Sequence, residues 1–234
     1  MSELALKLIR ENIEKHERGE DAHSLDLGNC GLTELPEELF ECVWLENLYL
    51  GEVWGYHSYK TQIDNFKLSK NKGLPNKLSF LPDSFGKLRM LKRLVASGSA
   101  TKPWDIKDLK SISSLKNLEY LDVGFNKIKS LSPLTSLTNL NYLRLINNKI
   151  KDLTPLSKLS KLSSIEISLN LIISLEPLLF FIKQEIPVFW TYYYEDTICL
   201  RGNPFQDPPV DIVRGGNAAI LEYFRQKEKT GEDL

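Results

Sequence analysis

From Leu118 to Pro177 the apolar positions return every 22 residues. Leu118, Leu140 and Leu162 share one column, Leu121, Leu143 and Ile165 a second, and Val123, Leu145 and Ile167 a third. The same step relates Asn126, Asn148 and Asn170, then Ile128, Ile150 and Ile172, then Leu131, Leu153 and Leu175, then Pro133, Pro155 and Pro177. Leu121 and Val123 are two apart, so both point to one side of a short predicted strand. Leu118, Ile128, Leu131 and Leu134 must reach the same interior from the turn and the return segment. Asn126 stands where the chain leaves the strand. Its amide can satisfy backbone groups that would cost roughly 1–3 kcal/mol each if buried unpaired, so stacked copies predict an internal ladder of Asn. Pro133 and its copies disfavour an α-helical return, which predicts 3₁₀ or extended segments there. One such unit cannot bury its own apolar face; its neighbours must do so.

The pattern LxxLxLxxNxIxxLxPL resembles a leucine-rich repeat of the short type. The resemblance implies an α/β solenoid, a horseshoe with a parallel β-sheet on its concave face and helical caps at both ends. Further copies flank the regular three. Leu25, Leu27, Cys30, Leu32 and Leu35 form the first, with an LPEELF segment richer in helix formers. Leu45, Leu48 and Leu50 begin the second, which breaks at an insertion over 51–67; Asn71 is expected to resume its Asn column. Leu91, Leu94 and Ala96 begin the third, with Ser99 in the Asn column and an irregular stretch over 100–111. A third insertion spans 180–196, and Ile198, Leu200 and Asn203 close the last repeat. Residues 1–20 read as an N-terminal capping helix with Ala5, Leu8, Ile9, Asn12 and Ile13 on one stripe. Residues 21–205 are the repeats, 206–226 a C-terminal capping helix, and the polar 227–234 the start of a linker.

Composition narrows the function. Thirty Lys and Arg face 31 Asp and Glu, a net charge of −1, which argues against nucleic acid or an anionic membrane as the main partner. Cys30, Cys42 and Cys199 form no paired-cysteine cap and no Asn-x-Ser/Thr sequon is present, so a reducing, cytoplasmic setting is expected. Met1 opens a charged helix rather than an apolar leader. His57 and scattered carboxylates show no catalytic pairing, and no GxxxxGK[ST] loop occurs. Catalysis, a metal and a cofactor are therefore not expected of this chain, nor is self-association.

The segment GNPFQDPPVDIVRGGNAAILEYFRQ resembles the join between the repeats and the GTPase module of Roco-family proteins. Asn203, Pro204, Pro208, Pro209, Ile212, Val213, Gly216, Ala219, Ile220, Leu221, Tyr223 and Phe224 carry the match. The resemblance implies the repeat domain of a larger LRR-Roc-COR protein. The competing reading is a stand-alone cytoplasmic adaptor, like repeat proteins that regulate a type-1 phosphatase.

Residues flanking the core leucines of each strand are expected on the concave surface. There Tyr49, Tyr120 and Tyr142 with Asp122, Arg144 and Glu166 form a mixed strip, of the residue types common at binding hot spots. The insertions add Trp54, Tyr56, Tyr59 and Trp104 along one edge and Trp190, Tyr192 and Tyr193 along the other. The expected partner is a protein, or an adjacent Roc-COR module, held by this strip and these edges; the alternative is that the aromatics pack back onto the solenoid.

Overall fold

A computed structural model describes residues 2–54, 67–190 and 196–231 of the 234. Among the described residues, eight strands form one parallel sheet. They are β1 (Ser24–Asp26), β2 (Asn47–Tyr49), β5 (Arg93–Val95), β6 (Tyr120–Asp122), β7 (Tyr142–Arg144), β8 (Ser164–Glu166), β9 (Val188–Phe189) and β10 (Ile198–Cys199). The order is β1-β2-β5-β6-β7-β8-β10-β9, so each repeat lays its strand beside the last and only β9 lies out of turn. Register follows the sequence columns: Leu25, Leu48, Leu94, Leu121, Leu143 and Ile165 face one another across the sheet. The column residues Leu118, Leu121, Val123, Ile128 and Leu134 are fully buried, as are their copies in the next repeat. Each buried aliphatic side chain contributes roughly 1.5–3 kcal/mol.

The return segments are 3₁₀ turns, among them Asp83–Lys87, Ser132–Leu134, Thr154–Lys158 and Glu176–Leu178, with Pro at the start of the last three. The first repeat follows the same rule despite its helix-forming residues: Glu37–Glu41 is also 3₁₀. The span left by the 22-residue period, rather than local propensity, sets the conformation.

The Asn column works as a zipper. The Asn148 amide donates to Leu145 O in its own repeat and Val123 O in the one before, each at 3.0 Å, and its Oδ1 accepts from Ile128 N at 2.9 Å. Asn170 repeats this with Leu145, Ile167 and Ile150, and Asn203 with Ile167, Leu200 and Ile172. Val123, Leu145 and Ile167 each therefore receive two amide donors, which fills both carbonyl lone pairs. The residue before each rung is left-handed: Asn29, Phe125, Asn147, Leu169 and Gly202 all have φ between 51° and 74°.

The insertions alter this zipper. The rung of the second repeat is Asn76, not Asn71. Asn76 Oδ1 accepts from Cys30 N and Leu32 N, and its Nδ2 donates to Leu27 O and Leu50 O. Asn71 instead donates to Asp26 O and Gly28 O, standing in for the amide that Cys30 lacks. The insertion thus extends beyond residue 67 to Pro75. It opens with β3 (Val53–Trp54) paired antiparallel to β4 (Lys67–Leu68). In the third repeat Trp104, not Ser99, holds the rung position, because Asp105 N bonds Leu78 O as Lys127 N bonds Ile106 O one repeat on. Pro75 and Pro103 precede these two rungs, and proline cannot take the left-handed turn used elsewhere.

A helix packs against each terminal strand. α1 (Glu3–Glu17) buries Ala5 and Ile9, and Ser2 caps it by accepting from Ala5 N. Asn12, placed on the apolar stripe from sequence, is a buried latch. It donates to Ala22 O and Ser24 O and accepts from the Trp44 indole at 3.0 Å. At the far end α4 (Gly216–Thr230) packs against β9, with α2 (Leu179–Lys183) and α3 (Val210–Arg214) packed against α4. Asn217 accepts from Val188 N and donates to Ile186 O, both at 2.8 Å. α4 continues to Thr230, so residues 227–230 are helix rather than linker. Lys227 ties this stretch down: its ammonium reaches Asp207, 3.1 Å away, beside the Tyr223 hydroxyl on the same carboxylate.

Candidate functional site

The sheet brings the predicted strip together, but most of it is buried. Tyr120 and Tyr142 are each 4% exposed, Asp122 1% and Glu166 3%. Tyr49 and Arg144 are half-buried. The strip expected on the concave surface is thus largely buried, and its residues contact one another. The Tyr120 and Tyr142 rings stack at 3.9 Å, with Val95 and Tyr49 packed alongside. The Arg93 guanidinium sits 4.1 Å above the Tyr120 ring, a favourable cation–π position. The Tyr120 hydroxyl has no hydrogen-bond partner among the described residues.

The acidic column serves the turns. Asp26 Oδ1 accepts from Gly28 N, Asp122 Oδ1 from Gly124 N, and Glu166 Oε1 from Ser168 N, all at 2.8–2.9 Å. A carboxylate closing the N–H two residues on is a local turn lock. Arg144 interrupts the column and bonds Asp122 at 3.0 Å. Burial pushes the Glu166 carboxyl up, against the Ser168 bonds and Arg144. Burial works against the Arg144 cation, yet Asp122, the tyrosines and Glu166 outweigh it and hold the guanidinium above its usual range. Burial, then Tyr142 and Asp122, raise the Tyr120 phenol well above the ordinary tyrosine value.

The edge aromatics do not gather as expected. Trp104 is 3% exposed and belongs to the core, since it fills the rung position between two repeats. Trp190 is half-buried at the C-terminal end, 6.3 Å from Phe205 and 5.3 Å from the Arg214 guanidinium. It is tied to the end helices rather than to the strip. For Trp54 only its place in β3 is described, and Tyr56, Tyr59, Tyr192 and Tyr193 lie outside the described residues. Sequence reasoning did not assign Arg93 to the strip, Asn76 to a rung or Asn12 to a latch. Arg93 was visible in the column before the core leucine, but nothing in the sequence showed that Tyr120 would lie beneath it.

Chemistry is sparse. Burial, aided by Asp26 and Glu41 respectively, pushes the Cys30 and Cys42 thiols up to about 11, and burial with Glu166 pushes Cys199 up to about 12. Thiols so raised are poor nucleophiles at neutral pH. Among the described residues no cluster of three or more His, Cys, Asp or Glu could hold a metal, and no helix is long and apolar enough to cross a membrane.

No family model matches the sequence, and no curated protein matches it. Solved structures do. An internalin C2 from Listeria monocytogenes aligns with 24% identity and a TM-score of 0.52, over 86% of this chain and 85% of that one. An internalin from the same organism, internalin F, gives 18% and 0.53 over 86% and 51%. The LRR ectodomain of the Arabidopsis thaliana receptor kinase GASSHO1/SCHENGEN3, in complex with CASPARIAN STRIP INTEGRITY FACTOR 2, gives 21% and 0.55 over 78% and 18%. The fold is a leucine-rich-repeat solenoid. In this solenoid the regular repeats bury Tyr120, Asp122, Tyr142 and Glu166 on the sheet, and Asn47, Tyr49, Arg93 and Arg144 stay partly open there.

Proposed function

We propose that this leucine-rich-repeat chain is a protein-binding and regulatory domain, the segment that precedes a GTPase module in a Roco-type protein. It acts by presenting a preorganised surface, with no chemistry of its own. The observation that carries this reading is the division of the sheet. The buried Tyr120, Asp122 and Glu166, with the half-buried Arg144, hold one another and the turns in place, while the adjoining Asn47, Tyr49 and Arg93 remain partly open as contacts. The solenoid fold shared with an ectodomain solved in a complex supports a protein partner, and the residues from Asn203 to Phe224 support the Roco setting. The proposed address is the cytoplasm.

Two measurements test it. The reading frame beyond Leu234 should encode a GxxxxGK[ST] loop; its absence removes the Roco setting and leaves the adaptor. The GTPase module so encoded, purified separately, should bind this chain. The Tyr49→Ala, Arg93→Glu double variant should weaken binding about a hundredfold, as expected for loss of interface hot spots. Unchanged binding would overturn the assignment of this face.

A further inference from the structure

The net charge of −1 hides a strong segregation. Residues 1–46 carry 4 Lys and Arg against 12 Asp and Glu, residues 67–161 carry 19 against 6, and residues 162–234 carry 6 against 11. The central repeats are basic and both ends acidic. Four of these lysines are ordered by the fold on one edge, where the chain leaves each strand and passes the Asn rung.

Backbone hydrogen bonds fix that edge in rows. Lys127 N bonds Ile106 O, Lys149 N bonds Ile128 O and Leu171 N bonds Ile150 O, at 2.8–2.9 Å. Positions 127, 149 and 171 therefore lie in one row along the stack, with neighbours about 4.8 Å apart. Positions 129, 151 and 173 lie in a parallel row two residues further on. The first two members of each row are exposed lysines: Lys127 and Lys149, Lys129 and Lys151. Of the opposing charges, Asp105 is already spent on Lys127 at 2.6 Å, and Asp152 closes the N–H of Thr154. The third member of each row is aliphatic. Leu171 and Ile173 are 39% and 50% exposed, and Leu169 beside them is 46% exposed. An apolar patch thus adjoins a field of four lysines, of which Lys127 is paired with Asp105.

We propose that this edge is a docking site for an acidic protein segment with an aliphatic anchor. The anchor sits on Leu169, Leu171 and Ile173, and the carboxylates that flank it meet Lys129, Lys149 and Lys151. Charge complementarity selects an acidic occupant, and the aliphatic patch selects among acidic occupants. Nucleic acid gains little from it, because single strands stack on aromatic faces. A bilayer gains little too, since the backbone of these residues is held flat against the neighbouring repeats by Leu169 N–Arg201 O and Leu171 N–Ile150 O and only 39–50% of each residue is exposed. The inference rests on the protein-binding reading above but places the contact on a different face.

The test is selection from a random peptide library on the folded chain, followed by affinity measurement with one enriched peptide. Two variants carry it: Lys129→Glu, Lys149→Glu, Lys151→Glu, and Leu171→Lys, Ile173→Lys. The second only copies the residues that the two preceding repeats place in these rows, so its fold should be preserved; circular dichroism and the unfolding midpoint check both. The expected result is enriched peptides with clustered Asp or Glu beside Leu, Ile or Phe, each variant weakening binding at least about tenfold, near 1.4 kcal/mol. Acidic peptides whose binding neither variant moves would overturn this surface and leave the protein-binding reading standing. Failure to enrich any peptide would count against both. Oligothymidylate or phosphatidylserine vesicles binding as tightly as the peptide, with the same loss in both variants, would reassign the edge to a polyanion. A dimer in sedimentation that the lysine triple variant dissolves would reassign it to an acidic end of a second copy.

Discussion

The repeats from Leu118 to Pro177 and those from Ser24 to Lys116 solve the same problem with different residues. In the regular half, Asn126, Asn148 and Asn170 close an unbroken zipper of buried backbone groups. In the interrupted half the rungs are Cys30, Asn76 and Trp104. Cys30 Sγ offers only a weak donor to Gly28 O at 3.5 Å, and Asn71 from the insertion supplies the missing amide. Trp104 offers no amide to the rung, yet its backbone N still bonds Phe125 O at 2.8 Å, as Asn126 N bonds Asn147 O. The backbone stacking is thus the invariant, and the side-chain rung can be exchanged for bulk or borrowed from a loop.

This contrast can be broken at graded cost. The largest effect should come from Arg144→Met, which strands Asp122 at 1% exposure; removing one partner of a buried ion pair costs about 3–5 kcal/mol. Adding Asp122→Asn should recover much of it, measured as the urea midpoint of single and double variants. Next, Asn148→Ala orphans Ile128 N and removes one of two donors from Val123 O and Leu145 O, a loss of about 2–4 kcal/mol. Cys30→Ala should lose only about 1 kcal/mol; equal losses at the two rungs would remove the distinction between the halves.

The Glu166 carboxyl gives a pH-dependent test. Its folded value is raised by burial, so the native state keeps a proton that the unfolded chain has released. Its contribution is therefore present below the ordinary carboxyl value near ~4.3 and is lost as pH rises through the higher folded value. Glu166→Gln keeps an acceptor for Ser168 N and should flatten the fall in unfolding midpoint across that window. A profile unchanged by the substitution would show that Glu166 does not titrate differently on folding. The smallest effect is expected at Leu169, a branched residue at φ 56° where asparagine is better tolerated. Leu169→Asn should stabilise by about 0.5–1 kcal/mol, on the scale of relieved left-handed strain, whereas the same change at Gly202, already suited to its φ, should not.

The strand register, the 3₁₀ returns and the Asn zipper of the regular half were legible because a period repeated three times fixes the role of each column without any knowledge of contacts. The same reasoning failed at Asn71 and Ser99. An insertion removes the count that identifies a rung, and two nearby residues of plausible type cannot then be told apart. The register sets Tyr120, Asp122, Tyr142, Arg144 and Glu166 side by side on the sheet, but the burial of all but Arg144 was not visible from the pattern. Alternation tells which face a side chain joins; it cannot tell whether that face is left to solvent.

The order of residues alone determined that this chain must stack, which columns turn inward, and that no single repeat could stand apart from its neighbours. Only the tertiary structure decided that Asn76 and Trp104 are the rungs of the interrupted half, that the acidic column locks the turns, and that four lysines and three aliphatic residues share one edge. The reason is that periodicity is a local property, set by spacing along the backbone. Burial, ion pairing and the gathering of charge are properties of neighbours across the stack, settled only when distant segments meet.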